Sequence, residues 1–421
     1  MDTETGRSRM DSDPATPRHA VKLPSLTGMR WWAAGAVFVL HTMVFLPVYP
    51  FQKSGLFATI HGFIPMQLGS AGVTFFFVLS GFIMYWTRRP GDTAANFLKR
   101  RAFKIYPSHI VAVLALLVIA PVPISRLTVW LPDLLLIHAW VPNWTTLGGL
   151  NVPSWSLASE VLFYLSFPLL APLVDRLGSR CIGWVLAGIF LVIVGLHAGF
   201  YLYADGPKGV ENLFLPRLLP DAATPEYEIH ASPIWFQQRD IPVSPAYWLS
   251  YNFPPSRLLE FYLGVLTAKL VISGKWTNAK LRYPLLGLGC SYGLTWFVPI
   301  NFKLSVLILL PTAAVIATMC VRDMTGVRGV NSGRIMIWLG EISYAFYLIQ
   351  YPVMVAVTKY CLHGRRYGLL GWLSWSLVCL VLSVALAAVI YHCIDKPITC
   401  RNRERPVIAP HAILPARVAT G

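Results

Sequence analysis

A chain of 421 residues in which 55% of positions are hydrophobic and only 13% are charged, against about 25% charged in soluble domains, is built for a bilayer and not for water. Its mean hydropathy of +0.56, with 15 Trp, 18 Tyr and 22 Phe, excludes a disordered, collagenous or disulfide-stapled chain, because those classes lack long apolar runs. The formal charge of +16, from 35 Lys and Arg against 19 Asp and Glu, is accounted for by loops retained on the cytoplasmic side and requires no nucleic-acid partner.

Residues 1–23 are polar and mixed in charge, and no small-residue cleavage pattern follows them, so they read as a disordered cytoplasmic tail. A spanning helix needs about 20 apolar residues, and suitable runs begin near residues 31, 70, 105, 154, 181, 254, 283, 303, 335 and 368. The stretch Leu127 to Val141 is short and carries Pro132 and Asp133. If it crossed the membrane, the basic clusters at 275–282, 322–334 and 396–405 would lie outside, against the positive-inside rule. It is therefore expected to be re-entrant or to lie on the outer surface. The sequence predicts an all-α integral membrane protein with about ten transmembrane helices and both termini cytoplasmic. Residues 204–254 form an extracytoplasmic loop rich in Pro and aromatics, and 399–421 a cytoplasmic tail.

Ionisable groups inside a span are costly, so each is a functional candidate. Lys269 and His392 lie near helix ends, where they can snorkel. Arg257 and Glu260 are three apart and can pair at the outer mouth. His109, His197 and Glu341 also fall within spans. His41 stands eleven residues after Arg30; at 100° per residue both project from one helix face, about 16 Å apart along the axis. A neutral imidazole at that depth can take a proton from a hydroxyl nucleophile; the alternative is a buried His bonded to a carbonyl, with Arg30 as an anchor. Lys99, Arg100, Arg101 and Lys104 put four cations in six residues at the start of the third span. They suit either the phosphates of an anionic cofactor or anionic lipid head groups. Ser156, Glu160 and Tyr164 share a face of the fourth span as a carboxylate flanked by hydroxyls, which serves either as inter-helix glue or as the group that charges and orients an imidazole. At this level a proton-coupled secondary transporter using His41 and Glu160 as a relay stands as the rival to an enzyme. The seven cysteines form no C-x-x-C pair and no Cys/His cluster of zinc spacing, so neither a metal site nor a disulfide framework is expected.

These residues also form an ordered series: Leu26-Thr27-Gly28-Met29-Arg30 leading to His41, Gly72 to Phe82, Lys99 to Pro107, Trp155-Ser156 to Tyr164, Glu260 to Gly264, Leu339 to Ile349 and Tyr391 to Pro397. In that order they resemble the membrane-bound acyltransferase 3 family, over about residues 24–398. The resemblance implies an integral membrane O-acyltransferase of the bacterial inner (plasma) membrane. Such an enzyme moves an acyl group, usually acetyl, from acyl-CoA to a hydroxyl of a polysaccharide, glycolipid or macrolide. The opening Leu23 to Gly28 looks like the actinobacterial subgroup that modifies secondary metabolites. The family's Arg-x10-His signature falls on Arg30 and His41, its basic motif on Arg100, Arg101 and Lys104, and its Trp-Ser-x-x-x-Glu signature on Trp155, Ser156 and Glu160. The implied site is then His41 and Glu160 for chemistry, Arg30, Arg100, Arg101 and Lys104 for the donor, and Ser156 and Tyr164 in support, with no metal. Thr74, Gln350 and Asp395 depart from the family pattern. The chain has no His-x3-Asp or His-x4-Asp pair, so the chemistry is expected to rest on His41.

Overall fold

A computed structural model describes residues 22–401 except 47, 49, 52–53, 64–65, 90, 120–126, 205–243 and 363–364. The expected tails, apart from residues 22–23 and 399–401, and most of the 204–254 loop lie outside the described residues. Among those described, the regular structure is helical: α1 (Pro24–Phe45), α2 (Gly55–Phe63), α3 (Met66–Trp86), α4 (Ala94–Ile119), α5 (Leu127–Leu134), α6 (Trp144–Leu147), α7 (Trp155–Arg176) and α8 (Ile182–Tyr203) come first. They are followed by α9 (Pro245–Tyr247), α10 (Pro254–Ile272), α11 (Arg282–Leu294), α12 (Ile300–Lys303), α13 (Val306–Met324), α14 (Arg334–Val357), α15 (Leu369–Ile390) and α16 (Lys396–Arg401). In seven places the helices, with adjoining turns, are long and apolar enough to cross a membrane: those built on α3, α4, α7, α8, α13, α14 and α15. Three further expected spans coincide with α1, α10 and α11, which fall outside that set. For two of them the cause is plain: α10 carries Arg257, Glu260 and Lys269, and α11 is only 13 residues long.

Helices α13 and α14 are mostly buried, whereas α8 and α15 are mostly exposed and present Trp184, Leu191, Leu377 and Val381 outward. Because lipid is as apolar as leucine, close backbone approach and polar pairing must hold such helices together. At two crossings glycine makes that approach possible. A Cβ at Gly264 of α10 would collide with the Val78 carbonyl of α3, and one at Gly340 of α14 with the Thr27 carbonyl of α1.

Polar contacts fix the relative helix directions. One end of the bundle gathers the start of α1, whose Ser25 N–H bonds Asp323 at the end of α13, together with the ends of α3, α7 and α10. There Arg88 pairs with Asp175, and Lys269 Nζ donates to the Asp175 carbonyl at 3.0 Å. The opposite end gathers the end of α4 and the turn that follows α14, where Lys359 Nζ donates to the Ile119 carbonyl at 2.6 Å. Since α4 ends there and α7 begins there, Leu127 to Val141 returns without crossing.

That segment is an eight-residue helix followed by a 3-10 turn at His138–Trp140, tied down around a fully buried Asp133. The Asp133 carboxylate accepts the Leu150 and Asn151 N–H groups at 2.9 Å each and the Ser154 hydroxyl at 2.5 Å. His138 lies beside it, with Nδ1 at 3.7 Å from the carboxylate; burial lowers the His138 pKa, and the Asp133 charge opposes the shift. The Asp133 carbonyl meets His109 Nε2 at 3.0 Å. This cluster fixes the start of α7.

Candidate active site

Three cavities follow one another through the bundle, and they share walls. The widest, about 200 Å³, is a mouth at the basic end, lined by Arg88, Arg89, Asp92, Arg100, Arg101 and Lys104 together with Thr399 of α16. Met84, Arg101 and Lys104 also line a middle chamber of about 110 Å³. Helices α1, α3, α4, α7 and α14 each contribute to that chamber, with Arg30, Ser80, Ser156, Glu160, Tyr164, Ser343, Tyr344 and Tyr347 among its lining. The third chamber, about 60 Å³, contains His41 and is walled by aromatic side chains including Phe45, Trp155, Tyr247 and Tyr251. It shares Val73 and Tyr347 with the middle chamber.

The single-face relation of Arg30 and His41 on α1 thus places them in successive chambers. His41 is 8% exposed, packs edge-on to Phe45 at 5.1 Å and has no hydrogen-bond partner at Nδ1. The carbonyl-bonded His that the sequence left open is not what forms. The other intramembrane candidates do have partners. His109 meets the Asp133 carbonyl, His197 Nδ1 meets the Asn301 carbonyl at 2.6 Å, and the Trp338 indole N–H reaches His392 at 3.4 Å. Arg257 and Glu260 form a 2.7 Å ion pair, but they are 0% and 1% exposed and so lie within the bundle instead of at a mouth. Arg257 also donates to Thr74, one of the positions that depart from the family pattern.

Glu160 requires a correction of role. It does not meet His41: the two line different chambers, and the Glu160 carboxylate accepts the Tyr164 hydroxyl at 2.6 Å. Its charge acts on Arg30, Arg101 and Lys104, so Glu160 is the counter-ion of a cation cluster. Helix geometry allowed equal depth, but the helix neighbourhood decided otherwise, because α1 packs mainly on α14 and α3 whereas α7 packs mainly on α10, α4 and α3. Ser156 also leaves the expected group; its hydroxyl meets the Tyr347 hydroxyl at 2.8 Å, and Tyr347 in turn donates to the Pro153 carbonyl at 2.8 Å. Tyr347 and Ser156 therefore form the partition between middle chamber and His41.

The basic motif divides as well. Arg100 is paired with Asp92 and lines only the mouth, whereas Arg101 and Lys104 face both mouth and middle chamber. Arg101 Nε and Arg100 Nη1 are buried donors without partners, which suits an anionic ligand with several acceptor oxygens. Sequence reasoning missed Tyr347, Ser80, Arg89, Tyr247 and Asn252 as lining residues. Arg89 was visible only as loop charge, and the others carried no signal apart from membership of a motif or an aromatic-rich loop.

The described residues thus form an apolar helical bundle in which a cationic mouth, an internal chamber and the His41 chamber share walls. The family model described as an acyltransferase domain matches residues 23–392, and the chain belongs to the acyltransferase 3 family. It is 33% identical over 408 residues to a protein named acyltransferase MdmB from Streptomyces mycarofaciens, covering 93% of this chain and 95% of that one. No solved structure matches the chain. The protein is an acyltransferase, and the transporter reading is set aside.

Proposed function

We propose that this protein is a multi-pass O-acyltransferase of the plasma membrane. It carries an acyl group, acetyl in the simplest case, from acyl-CoA to a hydroxyl of a sugar-containing or secondary-metabolite acceptor. With ten crossings and both termini cytoplasmic, as the loop charges favour, the mouth would face the side where acyl-CoA is found. The observation that carries the reading is the succession of three cavities from unpaired guanidinium donors to an unpaired imidazole. In this reading Arg100, Arg101 and Lys104 hold phosphates at the mouth, Arg30 and Glu160 set the charge of the middle chamber, and the acyl arm passes the Tyr347 partition toward His41.

The acceptor hydroxyl donates its hydrogen bond to His41. As its oxygen attacks the thioester carbonyl, the imidazole takes the proton, and collapse of the tetrahedral intermediate breaks the C–S bond. The imidazolium then protonates the departing thiolate and returns to its neutral form. A buried base without a competing partner is suited to this, and general-base assistance contributes about 10² to 10⁴ in rate.

The test is direct. Purified protein supplied with acetyl-CoA and a panel of hydroxyl compounds is expected to release free CoA and yield acylated product identified by mass spectrometry. His41→Ala is expected to lower the rate at least a hundredfold with normal thermal stability. Retained activity in this variant would refute the mechanism, and absence of CoA release in the wild type would refute the donor assignment.

A further inference from the structure

Asn252 stands on the π-turn Trp248–Asn252, just before α10, and lines the His41 chamber. It is 2% exposed. Its side chain is hydrogen-bonded to the Tyr247 hydroxyl, while its Oδ1 has no hydrogen-bond partner. A buried amide oxygen left open is uncommon, since nearly all such groups in folded proteins are satisfied. Among the described residues Gln67, Asn151, Asn301 and Gln350 also hold such an oxygen, but of the five only Asn252 lines one of the three chambers, so a ligand there is the natural partner. The remaining polar groups of the chamber do not supply that partner. The Tyr347 proton is committed to the Pro153 carbonyl, and the Tyr247 hydroxyl oxygen accepts from the Asn252 amide N–H and leaves Oδ1 open.

We propose that Asn252 is an acceptor-positioning residue: its Oδ1 receives a hydrogen bond from a second hydroxyl of the acceptor, adjacent to the one that is acylated. The proposal rests on the reading of the His41 chamber as the place of acyl transfer. Its logic is proton counting. A hydroxyl has one proton to donate, and the reacting hydroxyl gives that proton to His41. Asn252 Oδ1 accepts and cannot donate, so it needs a different donor on the same molecule. His41 and Asn252 line one chamber of about 60 Å³, and the smallest acceptor that serves both carries the second hydroxyl next to the first, as in a vicinal diol. The walls fit the same class, because Trp155, Tyr247 and Tyr251, packed on one another with centroids 4.7 and 5.7 Å apart, line the chamber and give it an aromatic wall for the carbon skeleton of a ring. The acceptor class is therefore a cyclic compound bearing adjacent hydroxyls, held by its C–H faces and read by its O–H edge.

The experiment measures acetyl transfer from acetyl-CoA to methyl glycosides with vicinal hydroxyls and to their monodeoxy counterparts, which lack the neighbouring hydroxyl. The wild type is expected to prefer the diol at least tenfold in kcat/KM. Asn252→Leu is expected to raise the acceptor KM at least tenfold, to move the donor KM less than twofold and to treat diol and deoxy acceptors alike. Asn252→Asp, which keeps an accepting oxygen at the same place, is expected to retain the diol preference. Equal use of diol and deoxy acceptors by the wild type would overturn the proposal, as would transfer to none of the diols. An unchanged preference in Asn252→Leu would do the same. If that variant fails to fold, the wild-type comparison and Asn252→Asp still decide. Transfer that survives His41→Ala would instead overturn the underlying mechanism, so the two failures are distinguishable.

Discussion

At the residue scale, the deciding fact about each ionisable side chain is whether the fold supplies it with a partner. His109, His197, Arg257, Glu260 and Lys269 each have at least one carbonyl or ionic partner, whereas His41 Nδ1 has no hydrogen-bond partner and lines a chamber. Depth in the sequence singled out His41 together with several others; only packing separated them. Glu160 gives the opposite lesson, because its motif was legible and its partner was not. The carboxylate balances Arg30, Arg101 and Lys104, so Glu160→Gln should leave the site more cationic while keeping the hydrogen bond to Tyr164. We expect a severalfold fall in donor KM, a steeper dependence of donor binding on salt and no shift in the pH midpoint assigned to His41. A shifted midpoint in steady-state pH profiles would restore direct pairing of the two groups.

At the scale of elements, α7 is placed by a segment that does not cross the membrane. Leu127 to Val141 reads as a short span broken by Pro132 and Asp133, and loop charge is what keeps it from being counted as a crossing. In the structure Asp133 is the anchor itself, accepting two backbone N–H groups and the Ser154 hydroxyl directly ahead of the α7 start. Asn at this position replaces one accepting oxygen with a donor and removes the charge. Leaving buried donors unpaired costs about 1–3 kcal/mol, so Asp133→Asn is expected to lower thermal stability by that amount. It should also reduce transfer, because Trp155 and Ser156 ride on the displaced helix start. The check is a melting curve read beside activity on one detergent-purified sample; an unchanged melting temperature would remove Asp133 from the anchor role.

At the scale of the whole molecule, the alternation of helix ends has a consequence for labelling. Cys181, Cys361 and Cys400 are all exposed. They sit after α7, after α14 and in α16, so Cys361 belongs to the end opposite the other two. If the basic mouth faces the cytoplasm, as the proposed function requires, a membrane-impermeant thiol reagent on intact cells is expected to label a variant retaining only Cys361 and to spare variants retaining only Cys181 or only Cys400 until the membrane is opened. Labelling of Cys181 or Cys400 from outside would mean that an odd number of crossings had been misassigned.

Composition, apolar run length and loop charge determined that the chain is a helical bundle for a bilayer and located its main helices, because hydrocarbon admits only segments that satisfy their own backbone. They also supplied Arg30, His41, Arg101, Lys104 and Glu160, since a charge retained in such a sequence is expensive and therefore conspicuous. Periodicity along one helix says which residues share a face and nothing about which helix that face will meet. The tertiary structure alone decided that His41 and Glu160 line different chambers, that Tyr347 borders both, and that Arg100 is held by Asp92 at the mouth. It also placed Asn252, an ordinary residue in an aromatic-rich loop, in the wall of the His41 chamber with an oxygen still to be satisfied. Neighbourhood of this kind arises from the packing of segments far apart in the chain, where backbone contact at Gly264 and Gly340 sets how the helices lie against each other.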